Sequence, residues 1–283
     1  MSETTKVAVL GAGTMGHGIA QVCASAGLTV HVSDPSEGAR EKGIKGVRDS
    51  LDRMVAKAKL TAAQRDEALG RIGWGGDLGA AVEGADVVIE AVPERIELKR
   101  ELLQRVDALA PSSALLGSNT SSLSITELGA SLRDPSRLVG LHFFNPVPVM
   151  ELLEIVRGVR TAEASIDRAL AFAAKLSKTP IVVRDMPGFA TSRLGVALGA
   201  EAIRMLEQGV ASAEDIDRAM ELGYRHPMGP LRLTDLVGLD VRLAILDHLH
   251  RELGEQFRAP PLLRQMVRAG KLGKKTGEGF YKW

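Results

Sequence analysis

Lys6-Val7-Ala8-Val9-Leu10-Gly11-Ala12-Gly13-Thr14-Met15-Gly16 is the stretch that decides the fold. Lys6 to Leu10 is a short apolar run and reads as a buried strand. Gly11 to Gly16 matches G-x-G-x-x-G, a weak pattern by itself. Its setting makes it specific. A helix follows to about Ala26, and Gly27 stops it. A second strand spans Leu28 to Ser33, and Asp34 closes it eighteen residues beyond Gly16. In such a β-α-β unit the first glycine permits the tight turn and the second lets a pyrophosphate approach the backbone. The third allows close helix–strand packing. Thr14 and Met15 open a helix whose unpaired N–H groups and dipole favour phosphate. Asp34 is placed to accept hydrogen bonds from ribose hydroxyls and to repel a 2′-phosphate. Pro35-Ser36 sets no arginine beside it, so NAD is expected rather than NADP.

Working outward, Glu37–Lys59 reads as a helix, basic on one side, and Thr61 with Gln64 as a capping-box start for another. Strands are expected at 87–92, 114–117, 138–143, 152–156 and 180–183. Helices are expected at 94–109 and 163–177, with Ser124 and Glu127 capping one between them. Met186-Pro187-Gly188 then breaks the pattern. Beyond it come only helices, at 193–208, after Ser212, at 236–253 and at 262–269. The expected organisation is a Rossmann-like, mostly parallel sheet over residues 1–185, followed by a smaller all-helical domain over 186–283.

Bulk composition narrows the function. The 283 residues are 45% hydrophobic and 25% charged, with a formal net charge of +1. That balance gives no basic footprint for nucleic acid, and 4% aromatic residues offer little for base stacking. Cys23 is the single cysteine, so neither an internal disulfide nor a zinc-ligand pair exists, and no metal is expected. Its place on the apolar side of the first helix marks it as core. No apolar run is long enough for a membrane span, and the start of the chain resembles no secretory leader. A cytoplasmic location is expected.

Three polar clusters end predicted strands: Ser118-Asn119-Thr120-Ser121-Ser122, His142-Phe143-Phe144-Asn145-Pro146, and Glu151 with Glu154. Ligands of open α/β sheets bind beyond the carboxyl ends of strands. A dehydrogenase acting on a hydroxyl needs a group to take the proton as hydride leaves. Neutral imidazole suits that task near pH 7, and a carboxylate partner would fix its tautomer.

These segments, with Val88-Ile89-Glu90-Ala91, Pro187-Gly188-Phe189, His226–Leu231, Asp235, Gly238-Leu239-Asp240 and Gly273–Tyr281, resemble the short-chain L-3-hydroxyacyl-CoA dehydrogenases over nearly the whole chain. The resemblance implies NAD as cofactor, an acyl-CoA as substrate and a homodimer. It makes His142 the general base, Glu154 rather than Glu151 its orienting carboxylate, and Ser121 a contact of the reacting oxygen. Asn119 would lie near the nicotinamide, and Glu94 and Lys99 would line the ribose and phosphate region. Lys275 in the basic tail would reach towards the cofactor. Arg53 and Lys57, one helical turn apart, would meet the CoA nucleotide, while His226 reads as structural. One position departs from the family, where Pro-Gly-Phe-x-x-Asn-Arg usually carries asparagine. Here it is Ser192, whose hydroxyl donates one bond and reaches less far. Loss of a positioned donor costs about 2.7–4 kcal/mol in a transition state.

Two other readings share these features. A dehydrogenase of a 3-hydroxy acid without CoA would leave Arg53 and Lys57 without a role. A non-catalytic NAD-binding sensor would account for Ser192. Activity with a CoA ester separates both from the first reading.

Overall fold

The protein is described by a computed structural model that covers residues 5–283. It forms two compact units, the first ending at Asp185 and the second running from Met186 to Trp283.

The first unit begins with β1 (Lys6–Leu10), α1 (Thr14–Ser25) and β2 (Thr29–Ser33). Helix α1 buries Gly16, Ile19, Ala20, Cys23 and Ala24, one stripe at helical spacing. Cys23 is fully buried, and that burial pushes its thiol well above the ordinary range, so it packs as an apolar side chain. Helix α2 (Glu37–Ala56) starts at Ser36, whose hydroxyl accepts from the amide of Ala39. Helix α3 (Ala62–Gly70) has the full reciprocal capping box of Thr61 and Gln64.

Strand β3 (Ile72–Gly75) and helix α4 (Leu78–Val82) come next and are absent from the sequence reading. Ile72-Gly73-Trp74-Gly75 carries two glycines and shows no alternation, so its strand character comes from pairing with β2 rather than from propensity. The unit continues through β4 (Val87–Glu90), α5 (Ile96–Leu109), β5 (Leu115–Ser118), α6 (Ile125–Gly129), β6 (Leu138–Phe143), β7 (Leu152–Arg157), α7 (Glu163–Lys175) and β8 (Thr179–Arg184).

The eight strands of the described residues form one sheet in the order β3-β2-β1-β4-β5-β6-β7-β8. From β3 to β6 the neighbours run parallel. Strand β7 turns back antiparallel on β6, and β8 follows β7 in parallel. This reversal positions the catalytic candidates. The short connection from Phe143 to Leu152 folds the chain back on itself, so residues of β6 and β7 face each other directly.

The second unit contains α8 (Thr191–Glu207), α9 (Ala213–Gly223), α10 (Pro230–Val237), α11 (Leu239–Leu253) and α12 (Pro261–Arg268). The single helix expected over 236–253 is two. Gly238 separates them at φ +106°, a conformation that favours glycine and turns the chain between α10 and α11. Val196, Ile203, Leu231, Leu246 and Leu263 are among its core residues. Two buried carboxylates tie the unit together. Asp217 accepts from the amides of Leu231 and Arg232 and from the Tyr281 hydroxyl. Asp235 accepts from the amides of Phe280 and Tyr281 and from the Trp283 indole. The chain end is thereby anchored to α9, through Asp217, and to the last turn of α10, through Asp235. No helix among the described residues is long and apolar enough to cross a membrane.

Candidate active site

The turn after β1 is built as its glycines require. Gly11 lies at φ +107°, and a Cβ there would stand 2.7 Å from the carbonyl oxygen of Ala91. A Cβ at Gly16 would fall 1.8 Å from the Gly11 carbonyl oxygen, so only glycine lets α1 sit this close to the turn. Gly13 is different, because nothing lies within 4 Å of the place its Cβ would take. It is the N-cap of α1 and gives no side-chain cap, and the first turn holds no acidic residue. The leading amides of the helix, with Thr14 and Met15, therefore face open space with positive potential.

Asp34 is held rigidly at the end of β2. Its Oδ2 accepts from the amide of Ala12 and its Oδ1 from the amide of Ser36, each at 2.9 Å. The cavity beside it is walled by Gly11, Asp34, Gly76, Leu78, Leu98 and Leu102. Apolar walls for an adenine, a fixed carboxylate at the ribose and an uncapped helix end for the pyrophosphate fit NAD. One finding corrects the sequence reading. An arginine does stand beside Asp34, since Arg40 donates from Nη1 to the Asp34 carbonyl at 2.6 Å. The first turn of α2 brings residue 40 back over residue 34, a proximity invisible in the Pro35-Ser36 neighbourhood.

The second cluster lies across β6 and β7. His142 and Glu154 are register partners in the antiparallel pair. The His142 Nδ1 lies 2.7 Å from Glu154 Oε2, with the residues 6% and 0% exposed. The Phe144 ring covers the imidazole with centroids 4.3 Å apart. Asn119 follows β5 and accepts at Oδ1 from the amide of Phe143, 2.9 Å away, while its own amide donates to the Glu90 carbonyl. It thus fixes the end of β6 directly beside the histidine. Glu151, the other glutamate considered, makes no such pairing and is exposed.

The third cluster is a buried charge network that the sequence reading saw only in part. Glu90, at the end of β4, is fully buried. It accepts from the amide of Val92 at 2.7 Å, from Lys99 Nζ at 2.7 Å and from the Ser118 hydroxyl at 2.5 Å. Lys99 is 1% exposed and also pairs with Glu94 Oε2 at 3.2 Å. Glu94 Oε1 gathers the Thr120 hydroxyl at 2.6 Å and the amides of Ser121 and Ser122 at 2.9 and 3.2 Å. Burial pushes the Glu94 carboxyl upward, but Lys99 and the bonds from Thr120 and Ser121 outweigh it and hold it below the ordinary value. Glu94 therefore acts as a hub that shapes the 120–122 loop and sets the place of Ser121. Lys99 is the cation beneath that hub rather than an open wall of the cleft. Sequence reasoning gave Glu90 no part, although a carboxylate closing the apolar run Val87-Val88-Ile89 is itself a signal of a buried ion pair.

The remaining candidates lie elsewhere. Arg53 and Lys57 are exposed at the end of α2. The helix stops at Ala56 rather than Lys59, but the Lys57 amide still bonds to the Arg53 carbonyl, which keeps the two one turn apart. Ser192 and Lys275 belong to the helical unit. Ser192 is in the first turn of α8. Lys275 donates to both oxygens of Asp240, at 2.5 and 2.6 Å.

Comparison with known proteins decides what this arrangement belongs to. Residues 6–186 match the family described as 3-hydroxyacyl-CoA dehydrogenase, NAD binding domain, and residues 188–283 match 3-hydroxyacyl-CoA dehydrogenase, C-terminal domain. The chain belongs to the 3-hydroxyacyl-CoA dehydrogenase family. A probable 3-hydroxybutyryl-CoA dehydrogenase of Bacillus subtilis is 45% identical, over 99% of this chain and 97% of the relative. The mitochondrial hydroxyacyl-coenzyme A dehydrogenase of Rattus norvegicus is 43% identical, over 98% and 90%. The crystal structure of (S)-3-hydroxybutyryl-CoA dehydrogenase from Ralstonia eutropha superposes with a TM-score of 0.96 at 43% identity, covering 99% of both chains. Family membership makes NAD the cofactor of the first unit.

Proposed function

We propose that this 3-hydroxyacyl-CoA dehydrogenase oxidises an (S)-3-hydroxyacyl-CoA, 3-hydroxybutyryl-CoA above all, with His142 taking the hydroxyl proton. The observation that carries the reading is the buried His142–Glu154 pair at 2.7 Å. With Nδ1 committed to the carboxylate, proton exchange with substrate falls to Nε2. Glu154 fixes that tautomer and balances the imidazolium formed as the hydroxyl proton arrives. In the reverse direction the imidazolium returns the proton to the carbonyl oxygen. Bound NAD supplies the acceptor for the hydride that leaves C3.

The other residues orient and hold. Ser121, fixed through Glu94, donates a hydrogen bond to the reacting oxygen. Ser192 supplies the donor for which relatives use asparagine. Asn119 keeps the end of β6 in place beside the nicotinamide. Arg53 and Lys57 meet the phosphates of CoA, as exposed cations one turn apart can. Lys275 serves the cofactor from the tail. The preference for a four-carbon acyl group rests on the relatives named for 3-hydroxybutyryl-CoA.

The same reading makes the chain a cytoplasmic homodimer that pairs through its helical unit. Leu194, Leu222 and Tyr224 there are 71%, 75% and 76% exposed, and large apolar side chains held in water support a pairing surface. Light scattering that reports a monomer at micromolar concentration would remove this part.

The deciding experiment follows NADH consumption with acetoacetyl-CoA. Wild type is expected to turn over, and His142→Ala to lose roughly 10²–10⁴-fold in kcat while still binding NADH. A wild type that binds NADH tightly yet leaves acetoacetyl-CoA untouched would overturn the reading in favour of a non-CoA substrate or a sensor.

A further inference from the structure

The connection between β6 and β7 runs from Phe144 to Glu151, and much of it stands in water. Asn145, Pro146, Val149 and Met150 are exposed. Its own amides close a turn, since Val149 and Met150 both donate to the Pro146 carbonyl. The far end is taken up by sheet pairing, as the Thr179 amide donates to the Glu151 carbonyl. Between the ends two side chains hold it. Val147 is 2% exposed and packs on α1 where residue 18 is glycine, so closely that a Cβ there would stand 3.0 Å from it. The other is Lys178, whose Nζ donates to the carbonyls of Val147 and Met150 at 2.7 and 2.6 Å.

Lys178 reaches this place because of how α7 ends. Ser177 lies at φ +54°, and the amides of Ser177 and Lys178 donate to the carbonyls of Ala174 and Ala173. This double closure turns the chain out of the helix and sets Lys178 just before β8. Its ammonium has three N–H donors, and two of them are spent on the connection. The consequence falls on His142. Phe144 opens the connection, and its ring lies 4.3 Å from the imidazole, tilted by 45°. The bond to Glu154 fixes Nδ1, while the Phe144 face sets the tilt of the ring and hence the aim of Nε2.

We propose that Lys178 is a positioning residue of the dehydrogenase, which clamps the 144–150 connection and thereby holds Phe144 against the His142 imidazole. The inference rests on the reading of His142 as the base. Without the ammonium both carbonyls turn to water, which the exposed connection tolerates without unfolding. The loss is therefore one of aim rather than of fold. A misplacement of about 1 Å, arising far from the chemistry, can cost on the order of 10²-fold in rate.

The test follows acetoacetyl-CoA reduction in variants of Lys178. Lys178→Met and Lys178→Ala are expected to lose roughly 10–10²-fold in kcat, with the KM for NADH and the melting temperature little changed. Lys178→Arg, which keeps N–H donors, should recover part of the loss. Lys178 also lines a cavity of about 340 Å³ with Gln21 and Met54, which gives a small amine a way in. Propylammonium replaces the atoms missing from Lys178→Ala and should raise its kcat, whereas tetramethylammonium, a cation without an N–H, should not. The Cε1–H resonance of His142, read by NMR without substrate, should move in Lys178→Met, because the ring current of Phe144 acts on it from a new position. An unchanged kcat in Lys178→Met, a response that does not distinguish the two cations, or a loss of activity that only tracks the melting temperature would each overturn the proposal. A wild type inactive on acetoacetyl-CoA would fall on the dehydrogenase reading instead. The His142 resonance then decides the clamp, and an unmoved resonance would sink it.

Discussion

His142 and Glu154 stand opposite each other on antiparallel strands, and the register that pairs their backbones also brings Nδ1 to 2.7 Å from Oε2. Adjacent antiparallel strands fix cross-strand neighbours within about 5.5 Å, so the pair is set by sheet pairing and needs no flexible loop. Glu154→Gln keeps the shape and the hydrogen bond but removes the charge that balances an imidazolium. The expected result is a fall in kcat of roughly 10²–10⁴-fold with a much smaller change in KM. Steady-state kinetics with acetoacetyl-CoA decide it, and an equal loss shared between kcat and KM would contradict a role confined to the transition state.

Glu94 gives the site an acid limit. Its folded carboxyl is held below the ordinary value, because Lys99 and the donors of the 120–122 loop overcome the upward push of burial. A depressed folded value means that the carboxylate contributes stability above its unfolded value, near 4.5, and that this contribution disappears as pH falls through the lower folded value. Urea midpoints measured down through that window should drop more steeply for wild type than for Glu94→Gln. Parallel curves would show that another carboxylate sets the limit.

Much of this was legible before any coordinates. Gly11–Gly16 announced the turn after β1, because Gly11 and Gly16 each meet a steric demand that only glycine satisfies. His142 and the polar run after β5 announced themselves by position at strand ends. What escaped were features created by pairing and by side-chain reach. Ile72–Gly75 carries no strand pattern and becomes β3 only beside β2. The break at Gly238 was hidden in a continuous apolar periodicity. Arg40 reaches Asp34 through a helical turn, and Glu90 was masked by the apolar run it ends, although its partner Lys99 was already under consideration as a cofactor contact.

Lys99 and Glu90 test that hidden network. Both are essentially fully buried and bonded to each other at 2.7 Å. Lys99→Met leaves the Glu90 carboxylate buried without its cation, a change that costs about 3–5 kcal/mol. The double variant Lys99→Met with Glu90→Gln removes both charges and should recover a large part of that loss. Chemical denaturation of the two single variants and the double variant checks it. Additive losses would mean that the ion pair is not what holds the end of β4.

The charge of Asp34 is expected to set cofactor choice. Asp34 keeps its carboxylate turned to the amides of Ala12 and Ser36, where a 2′-phosphate on the adenine ribose would meet repulsion. Arg40 is already docked on the Asp34 carbonyl at 2.6 Å, close enough to Gly76 that a Cβ there would lie 3.3 Å from its Nη1. A cation therefore stands beside Gly76, which lines the cavity, and the Asp34 carboxylate opposes its use toward a phosphate. Asp34→Asn removes the repulsion, retains an oxygen for one of the two amides and leaves Arg40 in place. The ratio of NADPH to NADH affinity, read from nicotinamide fluorescence, should rise by roughly tenfold or more, as expected for one charge-assisted phosphate contact. Adding Arg40→Ala should take that gain away, and raising the salt should shrink it, because the contact is exposed to screening. Arg105, which lines the same cavity from α5 beside Glu101, is the control. If Arg105→Ala cancels the gain and Arg40→Ala does not, the cation that reads the phosphate is on α5, and the turn after β2 discriminates by Asp34 alone.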